Sequence, residues 1–220
     1  MDDWNAHAER EIGRYRDGEA RLPGAADADA RQRQLTRMGN AAGGAGLALL
    51  MQGRHEYAAE WLARAAERYR ESFAGAPAES WGRPIGALKA RLLARDRTGA
   101  KDEARWTLDL GAAGAPSPIG RYAACLSLLA LERWKEACPL ADGLRTHEGF
   151  PAAVGDALAM IAAEDPLGYV EAIEAVLESF ETREEFLEDV PVADTVLVLQ
   201  ELAGRRGMAA ALSSPRLPRP

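Results

Sequence analysis

The chain has 220 residues, of which 47% are hydrophobic and 28% are charged. These proportions are typical of a globular protein with a sizeable core, and they exclude disordered and collagen-like classes. Two cysteines cannot build a disulfide scaffold, no apolar run approaches the roughly 20 residues that cross a bilayer, and no secretory signal is recognisable. We therefore expect a cytoplasmic protein. Its formal net charge of −7 disfavours nucleic acids and anionic membranes as partners.

Almost every segment has the composition and periodicity of helix, with glycine and proline between the periodic stretches. Asp2 or Asp3 is expected to cap the first helix, and Gly18 to end it. The predicted helices cover residues 3–16, 29–52, 56–73, 80–95, 102–111, 119–132, 133–144, 150–163 and 166–180. A brief acidic turn or helix follows at 184–189, and a last helix opens at Pro191. The proline-rich tail from Ser213 is expected to be extended.

A glycine-rich stretch, residues 39–46, falls inside the second predicted helix. It lacks the Gly-Lys-Ser/Thr ending of a P-loop and the preceding strand of a dinucleotide-binding fold. We interpret it as a face of small residues that packs closely on the third helix. The residues expected to share the apolar face of that third helix are Tyr57, Trp61, Leu62, Ala65 and Tyr69.

A repeat of about 34 residues relates the later helices. The second helix of each pair carries an alanine three residues after a long or aromatic side chain, in the segments 101–104, 134–137 and 169–172, with an earlier copy at 55–58. Small residues let paired helices approach closely, so we expect Ala104, Ala137 and Ala172 to be buried at helix–helix contacts.

This period and its alanine resemble the tetratricopeptide (TPR) type of helical repeat over roughly residues 41–180. The resemblance implies an all-α protein in which antiparallel helix pairs stack as a short right-handed TPR-like solenoid. It predicts one helical domain over 1–220, with an N-terminal helix and linker (1–28), repeats (29–180), capping helices (181–212) and a tail (213–220). Residues 79–86 and 189–199 are also similar to a group of uncharacterised prokaryotic proteins, which implies no activity.

Acidic residues are concentrated in one segment. Residues 164–189 contain ten acids and one base, Arg183. The segment is either a solvated helix face or an interface for a basic partner. Within it, Glu171, Glu174 and Glu178 repeat at helical spacing, a pattern that could hold a divalent metal or perform acid–base work but that is also typical of a solvated face.

Basic residues cluster around the fourth predicted helix. Solenoid first helices line a concave, peptide-binding surface, so a basic and partly aromatic groove there would suit an acidic peptide or a carboxylate terminus. The residues predicted to line this groove are Trp81, Arg83, Lys89 and Arg121. The alternative interpretation is ordinary surface arginine beside a core tryptophan.

No catalytic or metal-binding motif occurs, and Cys125 and Cys138 are expected to act as buried small hydrophobes. We therefore expect no cofactor, no metal and a non-enzymatic scaffold or adaptor. Its partner is expected to be another protein or a peptide, and an acidic peptide is one option. The alternatives are an immunity-type or regulatory subunit that occludes its partner through an acidic face, and an all-α metal-dependent enzyme.

Overall fold

The computed structural model describes residues 3–219, which contain ten α-helices and no strand. The helices are α1 (Trp4–Arg21), α2 (Ala28–Met51), α3 (His55–Phe73), α4 (Gly82–Leu93), α5 (Arg97–Asp109), α6 (Pro118–Ala130), α7 (Trp134–Arg145), α8 (Ala152–Ala163), α9 (Pro166–Glu181) and α10 (Asp194–Gly204). Single 3₁₀ turns lie at Leu22–Gly24, Ala112–Gly114 and Leu187–Asp189. The all-α prediction is confirmed.

Short polar side chains cap the starts of several helices, and the sequence predicts one of these caps, Asp3. Asp3, Asp27, Ser117 and Asp165 each accept a hydrogen bond from a backbone N–H three residues along, which satisfies one of the free amides of the first turn. The alternative cap, Asp2, lies outside the described residues.

Three predicted boundaries are wrong. Helix α1 continues past Gly18 to Arg21, because Gly18 is packed against α2, where an added Cβ would lie 2.7 Å from Met38 Cγ. Helix α5 starts five residues early, at Arg97, two residues after Arg95, whose left-handed backbone has a φ of 56°. The last helix starts at Asp194, three residues after Pro191, and residues 190–193 lie outside any helix.

The helices belong to two compact units. The first unit comprises the chain up to Asp96 with α1–α4, the segment Glu184–Val192 and the C-terminal residues from Pro215. The second comprises Arg97–Arg183 and Ala193–Ser214, with α5–α10. The single-domain boundary of 1–220 stays a prediction, because the compactness of two units does not show whether either folds alone.

The core of the first unit is built on the small residues of α2. Added Cβ atoms would lie 2.6 Å from Leu62 Cγ at Gly46 and 3.0 Å from the Tyr69 ring at Gly39, so α2 and α3 are in close contact through these glycines. The packing interpretation of residues 39–46 is confirmed. Tyr57, in contrast, does not join the apolar face of α3: it is 55% exposed, and the Arg54 guanidinium covers its ring.

In the second unit each helix from α5 to α9 packs on the next one along the chain. The repeat alanines lie in α5, α7 and α9, and they are buried as predicted: Ala104 and Ala137 are inaccessible and Ala172 is 7% exposed. A methyl side chain at these points lets neighbouring helices approach closely.

Ala137→Leu is expected to lower the free energy of unfolding by about 1–3 kcal/mol, since three added carbons must enter a closed helix–helix contact. Urea denaturation followed by circular dichroism measures it. Ala175→Leu, at an exposed position of α9, is the control and should change stability by less than about 0.5 kcal/mol. Equal effects of the two substitutions would contradict the assigned contact.

Candidate functional site

Three of the four predicted groove residues lie at or in α4. Trp81 precedes the helix and is only 7% exposed, and its indole Nε1 donates to Glu79 Oε2 at 2.9 Å. Arg83 points back to α2, where its Nε donates to Thr36 Oγ1 at 3.2 Å and its terminal nitrogen to the Gln32 side chain. Burial lowers the pKa of Arg83.

The other two groove residues are half-buried. Lys89 lies on α4, and Arg121 lies on α6 in the second unit. The Arg121 Nε donates to the Ala115 carbonyl at 3.2 Å, in the turn before its own helix. Trp81, Arg83 and Arg121 are thus engaged within their own units, and the groove itself stays a prediction.

The acidic segment divides between two environments. On α9, Glu171, Glu174 and Glu178 are exposed, and within residues 3–219 no group of three or more His, Cys, Asp or Glu side chains could hold a metal ion. Beside them Leu167 is 84% and Val170 38% exposed. The exposed face of α9 is therefore acidic, and its first turns also expose apolar side chains.

The last two acids of the segment are bound to the first unit. Glu188 and Asp189 both have left-handed backbone, with φ of 56° and 53°, a conformation that costs energy in residues other than glycine. Arg10 donates to the Glu188 carbonyl, and Arg14 forms an ion pair with the Glu188 carboxylate. Asn40 also donates to that carboxylate, at 3.1 Å. These contacts hold the strained turn in place.

The two cysteines differ in environment. Cys125 is fully buried, and burial raises the pKa of its thiol. Cys138 is half-buried, and its Sγ donates to the Trp134 carbonyl at 3.4 Å. The prediction of a buried small hydrophobe is confirmed for Cys125, whereas Cys138 retains access to solvent.

Iodoacetamide at about pH 8, near the ordinary pKa of a thiol, is expected to alkylate Cys138 and to leave Cys125 unmodified. The reagent attacks the thiolate, which burial disfavours at Cys125. Mass spectrometry of the native and urea-unfolded protein measures the labelling. Rapid native labelling of Cys125 would contradict its enclosed position.

The clearest recognition geometry is at the end of the second unit. Gln200, on α10, holds the main chain of Ala210: its Nε2 donates to the Ala210 carbonyl at 2.6 Å, and its Oε1 accepts from the Ala210 N–H at 3.0 Å. The side-chain amide of Gln200 thus pairs with both the backbone N–H and the backbone C=O of Ala210, as the main chain of a neighbouring β-strand would.

Tyr169, on α9, fixes the orientation of that amide. Its hydroxyl donates to Gln200 Oε1 at 2.9 Å. Burial raises the pKa of Tyr169, so the hydroxyl keeps the proton that it donates. Because Gln200 Oε1 accepts from this hydroxyl, the Gln200 NH₂ group is directed to the Ala210 carbonyl.

Residues 208–214 lie outside any helix, strand or turn, and their exposure alternates. Met208, Ala210, Leu212 and Ser214 are buried or half-buried, and the residues between them are exposed. Ser214 Oγ donates to Glu181, at the end of α9, at 2.6 Å. We call the surface of α9 and α10 around Tyr169, Glu181 and Gln200 the tail cradle. Chemically it can hold an extended peptide by its main chain and by alternate side chains.

No motif in the sequence points to the tail cradle. In the sequence, Tyr169 is noticed only because it precedes the repeat alanine Ala172 by three residues, and Gln200 is one polar residue of the last helix. The available signal was weak: after Gly207, which has a φ of 70° and follows the end of α10, the only two large apolar residues before Pro215 are Met208 and Leu212.

No family model, curated protein or solved structure matches this chain. None of the helices between residues 3 and 219 combines the length and hydrophobicity that a bilayer crossing requires.

Proposed function

We propose that this chain is a non-enzymatic, TPR-like scaffold that binds an extended segment of a partner protein in the tail cradle. The observation that carries the proposal is the paired hydrogen bonding of Gln200 to the main chain of Ala210. Main-chain hydrogen bonds supply affinity for an extended peptide whatever its sequence, and alternate side chains supply specificity.

The order of helix contacts in the second unit supports the solenoid arrangement. Alternate helices contact one another, α6 with α8 and α8 with α10, in addition to their neighbours along the chain. In a helical solenoid the first helices of successive pairs form such a row, and the row lines the concave binding surface. Gln200 belongs to α10, which would be the last member of this row.

The test uses the full chain with the substitution Ala210→Pro. Proline has no backbone N–H, so the hydrogen bond to Gln200 Oε1 is lost and the tail cradle is freed. Octapeptides are selected from a random display library, and their affinities are measured by fluorescence anisotropy with and without Gln200→Ala. We expect to select peptides whose side chains face the cradle at alternate positions. Gln200→Ala should lower their affinity about tenfold because two hydrogen bonds are lost. Glu174→Ala, on the exposed face of α9, is the matched control and should not change the affinity.

Failure to select any peptide would contradict the proposed function. Selection of peptides whose affinity is unchanged by Gln200→Ala would also contradict it, since binding would then take place elsewhere.

The acidic exposed face of α9 supports a second candidate function, a regulatory or immunity-type subunit that occludes a basic partner. The exposed Glu171, Glu174 and Glu178 supply charge complementarity, and the 84% exposed Leu167 supplies an apolar contact. Replacing the three glutamates by lysine should abolish association with such a partner, while peptide binding in the tail cradle should remain.

A further inference from the structure

We infer that residues 208–214 of this chain are a resident inhibitor of the tail cradle and that the partner segment has the same residue pattern. This inference rests on the proposed function. The partner segment is an extended peptide with apolar side chains at its first and fifth positions, a small residue other than proline at its third, and a hydroxyl residue at its seventh.

The pattern follows from the contacts of the tail itself. Met208 is 6% exposed, and Leu212 is half-buried, so these two positions accept apolar side chains. Ala210 must present both an N–H and a C=O to Gln200, which excludes proline there. Ser214 donates its hydroxyl to the Glu181 carboxylate, which favours serine or threonine over an acidic residue.

The tail is held in a way that permits its release. Beyond Met208, only Ala210, Leu212 and Ser214 face the cradle, and none of them is fully buried. Met208 belongs to the turn that ends α10, where its N–H donates to the Ala203 carbonyl at 3.0 Å and Gly207 supplies the left-handed residue. Residues 209–214 can therefore leave the cradle as a loop, while α10 and its cap stay intact before it and the residues from Pro215, which belong to the first unit, stay packed after it.

Covalent attachment makes this weak contact an effective inhibitor. A short tether keeps the tail at an effective concentration of about millimolar at its own site. A partner peptide of similar intrinsic affinity then binds only the fraction of molecules whose cradle is open, and its apparent Kd is raised by the inverse of that fraction.

The test compares full-length chains that differ by one proline. Ala210→Pro removes the N–H bonded to Gln200, whereas Ala211→Pro places the same ring at an exposed position and is the matched control. The residue before each proline is restricted to an extended backbone, and the two variants share this effect. A fluorescent peptide with the sequence of residues 208–214 is the probe, and its binding is measured by anisotropy.

The peptide should bind the Ala210→Pro chain at least about tenfold more tightly than the wild-type or Ala211→Pro chain, which corresponds to a cradle open in about one molecule in ten or fewer. Combining Ala210→Pro with Gln200→Ala should abolish the gain. In the wild-type chain, NMR hydrogen exchange of the Ala210 amide should accelerate as the peptide is added, because the displaced tail loses its bond to Gln200.

Equal affinity for all three chains would overturn the inference and leave the proposed function intact, since the cradle would then bind peptides without competition from the tail. Absence of binding to every chain, with thermal melts showing each one folded, would overturn both. A dimer of the wild-type chain that disappears in Ala210→Pro would also overturn the inference, because the tail would then occupy the cradle of a second copy.

Discussion

Replacing Arg10 and Arg14 together by methionine is expected to lower the free energy of unfolding by about 3–5 kcal/mol, because the buried Glu11 carboxylate is left without its partners and the contacts of both arginines with Glu188 are lost. Glu11 is inaccessible to solvent, and its carboxylate accepts from Arg10 Nε at 2.7 Å and from Arg14 at 3.3 Å. Methionine preserves much of the length of the side chain but removes the guanidinium. Urea denaturation of the wild-type and double-variant chains measures the loss.

Two controls separate the buried charge from other effects. Adding Glu11→Met to the double variant should recover roughly half of the loss, because an apolar group of similar volume is tolerated where an unpaired carboxylate is not. Arg33→Met removes an arginine that is ion-paired with Asp29 at the surface, and it should cost less than about 1 kcal/mol. If the triple variant were no more stable than the double variant, the burial of Glu11 would not explain the loss.

Gly155→Ala is expected to lower the free energy of unfolding by about 1–3 kcal/mol, because the added methyl group must displace a neighbouring backbone. Gly155 lies in α8 against the end of α7, where a Cβ would be 2.6 Å from Arg145 Cα and 2.7 Å from Arg145 N. A side chain could rotate away, but these are main-chain atoms, so one helix must shift. Denaturant unfolding measures the change.

Gly143→Ala is the matched control in the adjoining helix. An added Cβ there meets no atom within 4 Å, so alanine should stabilise α7 by about 0.5–1 kcal/mol through its higher helix propensity. The two substitutions are chemically identical and are expected to differ in sign. A stabilising Gly155→Ala would mean that α7 and α8 lie farther apart than these distances require.

Much of the secondary structure could be predicted, because the signals for it are local. Ser117 followed by Pro118 and Asp165 followed by Pro166 place a capping residue directly before a proline at the first helical position, and α6 and α9 begin there. The buried alanines of α5, α7 and α9 followed from one spacing rule applied along the chain. The helix starts depend only on residues a few positions apart, whereas the alanines depend on a repeat of about 34 residues.

The local rules failed where a distant segment competed with them. Gly18 is a strong stop signal by itself, yet α1 passes through it because Met38 of α2 occupies the space beside the missing side chain. Tyr57 matched the apolar periodicity of α3, yet it is exposed, with its ring against Arg54. Helix periodicity identifies one face of a helix, but the neighbouring helices decide how much of that face is covered.

The partners of the polar side chains depended even more on tertiary structure. Arg83 was grouped with Lys89 by proximity in sequence, but its guanidinium is bonded to Gln32 and Thr36, about fifty positions earlier. Gln200 and Ala210 are only ten residues apart, and no motif links them. A hydrogen bond depends on the relative position of two atoms, which neither composition nor periodicity specifies.

The sequence by itself therefore determined the all-helical class and most helix starts, since helix propensity, capping and a 3.6-residue period are properties of short segments. It also determined the alanines at the helix contacts, through a repeat of about 34 residues. Only the tertiary structure decided which arginine neutralises Glu11, which glycine lies against a backbone, and that residues 208–214 lie in the tail cradle. Those contacts join atoms that the chain brings together only after its helices have packed.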